Sequence, residues 1–388
     1  MRPIGKRLRA VLGVFVLAQA LAAAAPGQAV APDAAAPPAV DVTGAPAPAP
    51  EPLDLDAGEK PLGGSLRAPA LWADFKGRFV SLQGRVMDFA NGAISHSEGQ
   101  GYGLLFAVAA NDRAAFDLLW SWTRANLMVR DDELIAWRWE PLARPAVADI
   151  NDAADGDILV AWALTEAAEY WGDLSYRVAA RRIAVEVGRK LVLIGDKRGP
   201  LLLPALVGFS QESRQDGPIL NLSYWVFPAF ERLPRVAPEV DWDGLIRSGL
   251  GLVKGAQFGP SRLPSDWVSA HDEALQPAAG FRRAFSYNAL RIPLYMAMAG
   301  VGERDHYAPF IALWSKGEAL AEIDVDSGVA GAAFQGRGYV AIADLTRCVV
   351  DKVKLPADFF TPSDGDNYYQ SSLHILAAIA ARQRYPSC

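Results

Sequence analysis

The sequence predicts an all-α fold, a toroid or bundle of paired helices. From residue 66 onward, apolar residues recur at helical spacing in runs of roughly a dozen residues or more, and short loops separate successive runs. Signals for β-strands are few and short, for example Leu201 to Leu203. The chain has no glycine-rich phosphate loop after a strand and no regular alternation of strands and helices. These absences exclude a parallel α/β architecture.

The helical segments follow one another along the whole of this region. The first is predicted from Ala68 to Leu82, because Trp72, Phe75 and Phe79 repeat at helical spacing. Asn111 and Asp112 then separate the second segment from the third. The later predicted helices, in chain order, are Gly103 to Ala110, Arg113 to Met128, Asp155 to Trp171, Tyr176 to Ile194, Tyr224 to Leu233, Trp242 to Gln257, Asn288 to Ala299, Asp305 to Trp314, Val329 to Leu345 and Tyr368 to Arg384.

The first 64 residues are predicted to lie outside the folded domain. Basic residues precede an apolar run from Ala10 to Ala25 that ends in small residues, which is typical of a signal peptide over residues 1–25. The run is short for a membrane span and no stop-transfer pattern follows it. We therefore expect a periplasmic or secreted protein with no stable membrane insertion after signal cleavage. Residues 26–64 are rich in Ala and Pro and predict a flexible linker, which leaves residues 65–388 as the folded domain.

Composition and charge limit the kinds of partner and site that this protein can have. Hydrophobic residues make up 51% of the 388 residues and charged residues 21%, which predicts a sizeable packed core. A formal charge of -6, without a basic stripe after the first ten residues, argues against a nucleic-acid partner. The four histidines form no closely spaced pair, and the sequence predicts no metal site and no cofactor. Cys348 and Cys388 fit either a disulfide, which an exported protein permits, or two buried free thiols.

One acidic residue stands in a glycine-rich stretch, Ser97 to Gly103, at the predicted start of a helix. Glu98 there has three glycines, a glutamine and a tyrosine as close neighbours in the sequence. Glycines allow backbone to turn sharply or to approach a ligand closely. A carboxylate beside apolar walls can have a pKa high enough to donate a proton near neutral pH. The alternative is a helix cap, in which Ser97, Glu98 and Gln100 occupy the first turn.

Two further stretches carry polar residues where helices are predicted to begin. Asn151, Asp152, Asp155 and Asp157 precede or open the helix that ends at Trp171, and helix capping would explain some of these acids. The third stretch runs from Phe285 to Pro293. There Asn288 and Arg291 interrupt an apolar run one helical turn apart. A cap and a buried ion pair are the structural interpretations of these two residues, and a ligand site is the functional one.

Six segments in a fixed order carry a resemblance to a known family. They are SEGQGYG (97–103), DRAAFDLLWSWTRANL (112–127), AWRW (136–139), DGDILVAWALTEAAEYW (155–171), PSDWV (264–268) and YNALRIPLY (287–295). Together they resemble glycoside hydrolase family 8, and within it the periplasmic endoglucanases that accompany bacterial cellulose synthase. The resemblance extends over nearly the whole chain from about Leu66. It implies an (α/α)6 barrel of six inner and six outer helices, with a groove at one end that holds a β-1,4-linked glucan. It also implies endo-β-1,4-glucanase activity with inversion at the anomeric carbon.

The resemblance assigns roles to individual residues. Glu98 matches the general acid that protonates the leaving glycosidic oxygen, and Asp155 matches the second acidic position beside the sugar at the cleavage point. An inverting enzyme also needs a base roughly 6.5–9.5 Å from the acid, which leaves room for one water. Eight residues are expected to contact substrate: Tyr102, Trp137, Trp139, Tyr224, Trp267, Tyr287, Arg291 and Tyr369.

Asn288 departs from the family pattern. Many members have an aspartate there that serves as general base, whereas an amide can hold a water but cannot take its proton at neutral pH. Another carboxylate could act as base, and Asp155, Asp266 and Asp272 are the candidates. Alternatively the enzyme is slow and Asn288 with Tyr287 only orients the water, or the protein binds glucan without cleaving it. Other polymers that the family cleaves, such as chitosan, mixed-linkage glucan or xylan, stay open as substrates, and a neighbouring cellulose synthase as partner rests on the resemblance.

Overall fold

The computed structural model describes residue 53, residues 58–315 and residues 320–388. The predicted signal peptide and most of the predicted linker lie outside these residues. Within them, no helix combines the length and the apolar character that a membrane crossing would require. The described residues contain eleven α-helices and ten short strands.

The helices carry the fold. In chain order they are α1 Pro69–Phe79, α2 Ser97–Ala109, α3 Arg113–Asn126, α4 Ala154–Trp171, α5 Leu174–Lys190, α6 Phe227–Arg232, α7 Trp242–Gly255, α8 Arg291–Ala299, α9 Arg304–Trp314, α10 Arg337–Asp351 and α11 Tyr368–Arg384. Every one of the eleven predicted helices is present, so the prediction of an all-α fold is confirmed. The predicted ends of α11 agree with the structure at both residues, and most other ends differ by a few residues.

The strands form four small antiparallel sheets. They are β1 Ser95–His96 with β2 Arg138–Trp139; β3 Val192–Leu193 with β4 Leu201–Leu202; β5 Ile219–Leu220 with β6 Val268–Ser269 and β7 Gln276–Pro277; and β8 Ala284–Phe285 with β9 Ala321–Asp324 and β10 Ala330–Ala333. Strand β1 leads directly into α2, and β8 precedes the turn before α8. The sheets therefore organise the loops at the helix N-termini.

One helix prediction was partly wrong. The apolar run from Val329 to Leu345 was expected to be one helix, but its first part is strand β10, which pairs with β9. Gly336 separates the two parts with φ 124°, a left-handed conformation that favours glycine. Helix α10 begins only after it. Short apolar runs do not distinguish strand from helix by periodicity, and here tertiary pairing decided.

Five helices, α2, α4, α6, α8 and α11, are buried on nearly all sides and form a closed ring of contacts. The other helices bury one face and lie outside this ring. Four of these five helices begin at the same end of the ring. The first turns of α2, α4, α8 and α11 meet at one end through contacts among Glu98, Asp155, Arg291 and Tyr368. Their N-termini therefore direct positive dipole ends at one place.

The chain just before α1 lies at the opposite end of the ring. Leu62 is buried, and its N–H donates to Glu166 near the C-terminus of α4 at 2.8 Å. Glu59 accepts from Arg232, whose guanidinium also pairs with Glu166. The last residues of the predicted linker, from Glu59 to Gly64, are therefore part of the folded domain. Leu62 supplies apolar burial and Glu59 an ion pair that composition alone did not reveal.

The two cysteines are joined. Cys348 in α10 and Cys388 form a disulfide with their Cα atoms 5.8 Å apart and 40 residues between them in sequence. Of the two possibilities that the sequence left open, the structure therefore has the bonded one.

Removing this disulfide should lower stability and leave activity unchanged. Closing a loop of 40 residues restricts the unfolded chain, so we expect Cys348→Ser with Cys388→Ser to lower the free energy of unfolding by about 2–4 kcal/mol. The measurement is urea unfolding of the double variant and of the oxidised wild type. Equal midpoints would show that the bond contributes nothing to stability.

Candidate active site

Glu98 is placed by close packing of α2. A Cβ atom at Gly101 would lie 2.6 Å from the Cβ of Leu159, and one at Gly99 would lie 3.2 Å from the hydroxyl of Tyr368. These glycines therefore allow α2 to approach α4 and α11, rather than a ligand as the sequence suggested. The Glu98 side chain keeps 19% of its surface exposed. Its Oε1 accepts a hydrogen bond from the Tyr368 hydroxyl at 2.9 Å.

Arg291 is the centre of the polar contacts. Its guanidinium is 2% exposed, and its Nη1 atom donates to both Glu98 Oε2 and Asp155 Oδ2, the latter at 3.2 Å. Its Nη2 atom donates to Ser223 Oγ and to Asn288 Oδ1, each at 2.9 Å. A buried arginine needs such partners, because an unpaired buried charge is costly. One cation thereby holds two carboxylates and one amide in a fixed arrangement.

Asp155 lies in the first turn of α4 and is 2% exposed. Its Oδ1 accepts the backbone N–H of Gly156 at 2.8 Å. Burial and the neighbouring negative charge of Glu98 raise the pKa of Asp155 to about 7, although Arg291 acts against the rise. Asp155 and Glu98 are therefore two acids in unlike surroundings, one enclosed and one facing solvent.

Asp155 should make stability fall as pH rises. Its folded pKa lies above the unfolded value of 3.8, so between about pH 4 and 7 the folded state retains a proton that the unfolded state has released. The stability that this proton contributes is therefore lost as pH rises from about 4 to 7, and it changes no further above pH 7. Asp155→Asn removes this titration, and we expect its melting temperature relative to wild type to rise by on the order of 5 °C between pH 5 and pH 8. A constant difference across that range would contradict the raised pKa.

Asn288 connects Arg291 to a third carboxylate. Its Oδ1 accepts from Arg291, and its Nδ2 donates to Asp266 Oδ2 at 3.4 Å. Asp266 Oδ1 accepts the backbone N–H groups of Ser286 and Ala289 at 3.0 and 2.8 Å. Burial raises the pKa of Asp266, and these hydrogen bonds act against the rise. Asn288 and Asp266 are both half-buried, so solvent reaches this part of the site.

Comparisons with known proteins identify the family. The sequence model described as Glycosyl hydrolases family 8 matches residues 65–383. The chain belongs to this family. A probable endoglucanase of Novacetimonas hansenii is 37% identical over 317 residues, which cover 80% of this chain and 89% of that protein. The solved endo-β-1,4-glucanase CMCax of Acetobacter xylinum is similar in fold, with a TM-score of 0.75 and 33% identity over 82% of this chain and 99% of that one.

A second solved structure of this family has a similar fold. Endoglucanase Cel10 of Klebsiella pneumoniae has a TM-score of 0.72 and 34% identity, and the alignment covers 81% of this chain and 99% of that one. This similarity confirms the predicted (α/α)6 barrel of a family 8 glycoside hydrolase.

One aromatic residue of this family 8 hydrolase was assigned wrongly from sequence, and a second has mainly aromatic neighbours. Tyr102 has no exposed surface and lies beneath the site, where its hydroxyl contacts Tyr295 at 2.8 Å, so it cannot be a sugar platform. Trp267 stacks on Phe209 and on Phe281, with ring centroids 5.4 and 4.7 Å away. Its ring packs the loops together, and the side chain stays half-buried, so a role of Trp267 in substrate contact stays a prediction. Aromatic residues fit a core as well as a groove, and their spacing in sequence did not separate the two.

The other predicted contact residues of the hydrolase, apart from buried Arg291, are half-buried near the helix N-termini. Tyr224 lies against the Arg291 guanidinium at 5.7 Å and meets Trp267 edge to face. The hydroxyl of Tyr369 donates to the carbonyl oxygen of Tyr287 at 2.6 Å. The remaining two, Trp137 and Trp139, lie on the strand segment that pairs with the start of α2.

Asp272 is not part of this cluster. It is exposed in the loop between β6 and β7, where its carbonyl oxygen accepts from Arg198, and it lines a cavity of about 550 Å³ with Ser213 and His271.

Sequence reasoning missed Tyr368 and Ser223, which hold Glu98 and Arg291. Tyr368 is the first residue of the last helix, next to the predicted Tyr369. The closure of the ring brings it to Glu98, 270 residues away.

Proposed function

We propose that this family 8 protein is an inverting endo-β-1,4-glucanase in which Glu98 is the general acid. The observation that carries the proposal is a partly exposed carboxylate at the end of the barrel, held by Tyr368 and Arg291, with Asp155 on the same arginine. The relatives named endoglucanase support the choice of polymer.

The proposed reaction uses these groups in defined ways. Glu98 protonates the glycosidic oxygen as the bond to the anomeric carbon breaks. The ionised carboxylate of Asp155 places negative charge beside the oxocarbenium-like sugar. Arg291 fixes the position of both carboxylates, and the half-buried aromatic residues bind the neighbouring sugars. A second carboxylate takes a proton from the attacking water.

Export and partnership belong to the proposal as well. The predicted signal peptide supports a location in the periplasm or outside the cell, where the enzyme would act on β-1,4-glucan chains as they leave a cellulose synthase. The chain just before α1 is attached to the end of the barrel away from Glu98.

Asn288 supports a second candidate, a glucan-binding protein with weak or no hydrolysis. An amide at the family's base position cannot accept a proton from water at neutral pH. General-base assistance contributes about 10²–10⁴-fold, so its loss would slow the reaction strongly.

Product analysis separates the two candidates. The purified protein is incubated with carboxymethylcellulose, and released reducing ends and viscosity are followed. An endoglucanase lowers the viscosity early, while few reducing ends have appeared. With cellohexaose, proton NMR should detect the α-anomer first, because inversion converts the β-linkage. Cello-oligosaccharide binding without any release would support the binding protein, and an initial β-anomer would exclude inversion.

A further inference from the structure

Asp155 lies too close to Glu98 to be the base of an inverting reaction. Both carboxylates contact the same atom, Nη1 of Arg291, and the longer of the two contacts is 3.2 Å. Their nearest oxygens are therefore less than about 6 Å apart, whereas an inverting pair leaves roughly 6.5–9.5 Å for the water. Both Asp155 oxygens are also engaged, one by Gly156 and one by Arg291.

Two other acids are excluded by their surroundings. Asp272 is exposed outside the cluster, as described above. Glu322 is 1% exposed, and its oxygens accept from Ser286 Oγ at 2.6 Å and from Arg282 Nη2 at 2.8 Å. A base needs a free lone pair that water can reach, and neither residue combines this with a place in the site.

Asp266 combines these requirements. Its Oδ1 holds the backbone turn at Ser286 and Ala289, whereas its Oδ2 accepts from the Asn288 side chain at a long 3.4 Å. The backbone N–H of Asn288 also stabilises the carboxylate. A guanidinium and an amide separate it from Glu98, because Asn288 binds Nη2 of Arg291 while Glu98 binds Nη1. It is half-buried, and its neighbours leave one oxygen for a water.

We propose that Asp266 is the general base of this hydrolase and that Asn288 positions the water beside it. The step rests on the proposed function. The water oxygen forms a bond to the anomeric carbon while its proton moves to Asp266 Oδ2. The bond between that carbon and the glycosidic oxygen breaks, and that oxygen receives the proton of Glu98. Solvent afterwards returns a proton to Glu98 and removes one from Asp266.

The raised pKa of Asp266, caused by burial, agrees with this role. A base with a pKa closer to the working pH binds the proton of the water more strongly than an ordinary carboxylate. The hydrogen bonds to Oδ1 hold the carboxylate in one orientation, so Oδ2 points in a constant direction.

Exchanging the carboxylate of Asp266 and the amide of Asn288 tests whether Asp266 is the general base. Asp266→Asn keeps an oxygen for the backbone N–H groups of Ser286 and Ala289 but cannot accept the proton. We expect it to lower kcat on cellohexaose by about 10²–10⁴-fold, with little change in KM or melting temperature. It should also abolish the acidic limb of the pH profile of kcat.

Asn288→Asp alone should keep or raise activity. Asp266→Asn combined with Asn288→Asp restores a carboxylate on the other side of the pair, and we expect at least tenfold recovery over Asp266→Asn.

Asp272→Asn is the matched control, and its kcat on cellohexaose should stay within about twofold of the wild-type value. Asp266→Asn with nearly full activity would overturn the assignment. So would a loss in Asp266→Asn that the second substitution does not recover, since Asp266 would then only hold the turn. Both results leave the hydrolase itself intact, provided that the wild type cleaves and Glu98→Gln does not. A wild type without any hydrolysis would overturn the proposed function together with the base.

Discussion

Arg291→Met is expected to remove most of the activity and to lower the free energy of unfolding by about 3–5 kcal/mol. The substitution leaves Glu98 and buried Asp155 as neighbouring carboxylates without the cation that they share. Their repulsion is relieved when one takes up a proton. The destabilisation should therefore be larger at pH 8 than at pH 5. Urea unfolding at the two pH values and kcat/KM on cellohexaose measure both effects.

The control for Arg291 is an arginine in an exposed ion pair. Arg304 in α9 pairs with Asp351 at 3.1 Å, and each side chain is 38% exposed. Because solvent screens such pairs, Arg304→Met should cost about 1 kcal/mol or less and leave activity unchanged. If Arg291→Met had the same midpoint of urea unfolding as the wild type, the guanidinium would not stabilise the pair of acids.

Glu98→Gln should lower kcat by about 10²–10⁴-fold while binding of cello-oligosaccharides is retained. The amide oxygen can still accept from Tyr368, but the side chain has no acidic proton for the leaving oxygen. The loss should depend on the leaving group. A dinitrophenyl cellobioside needs no protonation when it leaves, so Glu98→Gln should be impaired much less on it than on cellohexaose.

The control for Glu98 is an acid outside the site. Glu303→Gln changes an acid at the start of α9, outside the site, and should behave like the wild type. An equal loss of activity on both substrates would show that Glu98 acts otherwise than as a proton donor.

Local sequence was sufficient for the elements and for three central side chains. The helix of Tyr368 to Arg384 is predicted to the residue, because its apolar residues, its Asn367 cap and its end are all local features. Glu98, Asp155 and Arg291 stand out because polar residues interrupt small or apolar runs. The structure brings these three together. In each case the signal was a local violation of an otherwise apolar pattern.

Contacts across the ring could not be predicted in the same way. Tyr368 meets Glu98, and Asn288 meets Asp266, only because helices and loops far apart in sequence converge at one end. Tyr102 shows that burial cannot be predicted locally either. Its residue type suited a sugar platform, and burial decided otherwise.

The sequence by itself determined that this chain folds as a ring of helices and that acids stand at the starts of two of them, because periodicity and chain breaks act over a few residues. Only the tertiary structure decided which two acids share an arginine and which third acid Asn288 connects to that arginine. These relations depend on distances of a few ångströms between distant segments, and the packing of the whole ring sets those distances.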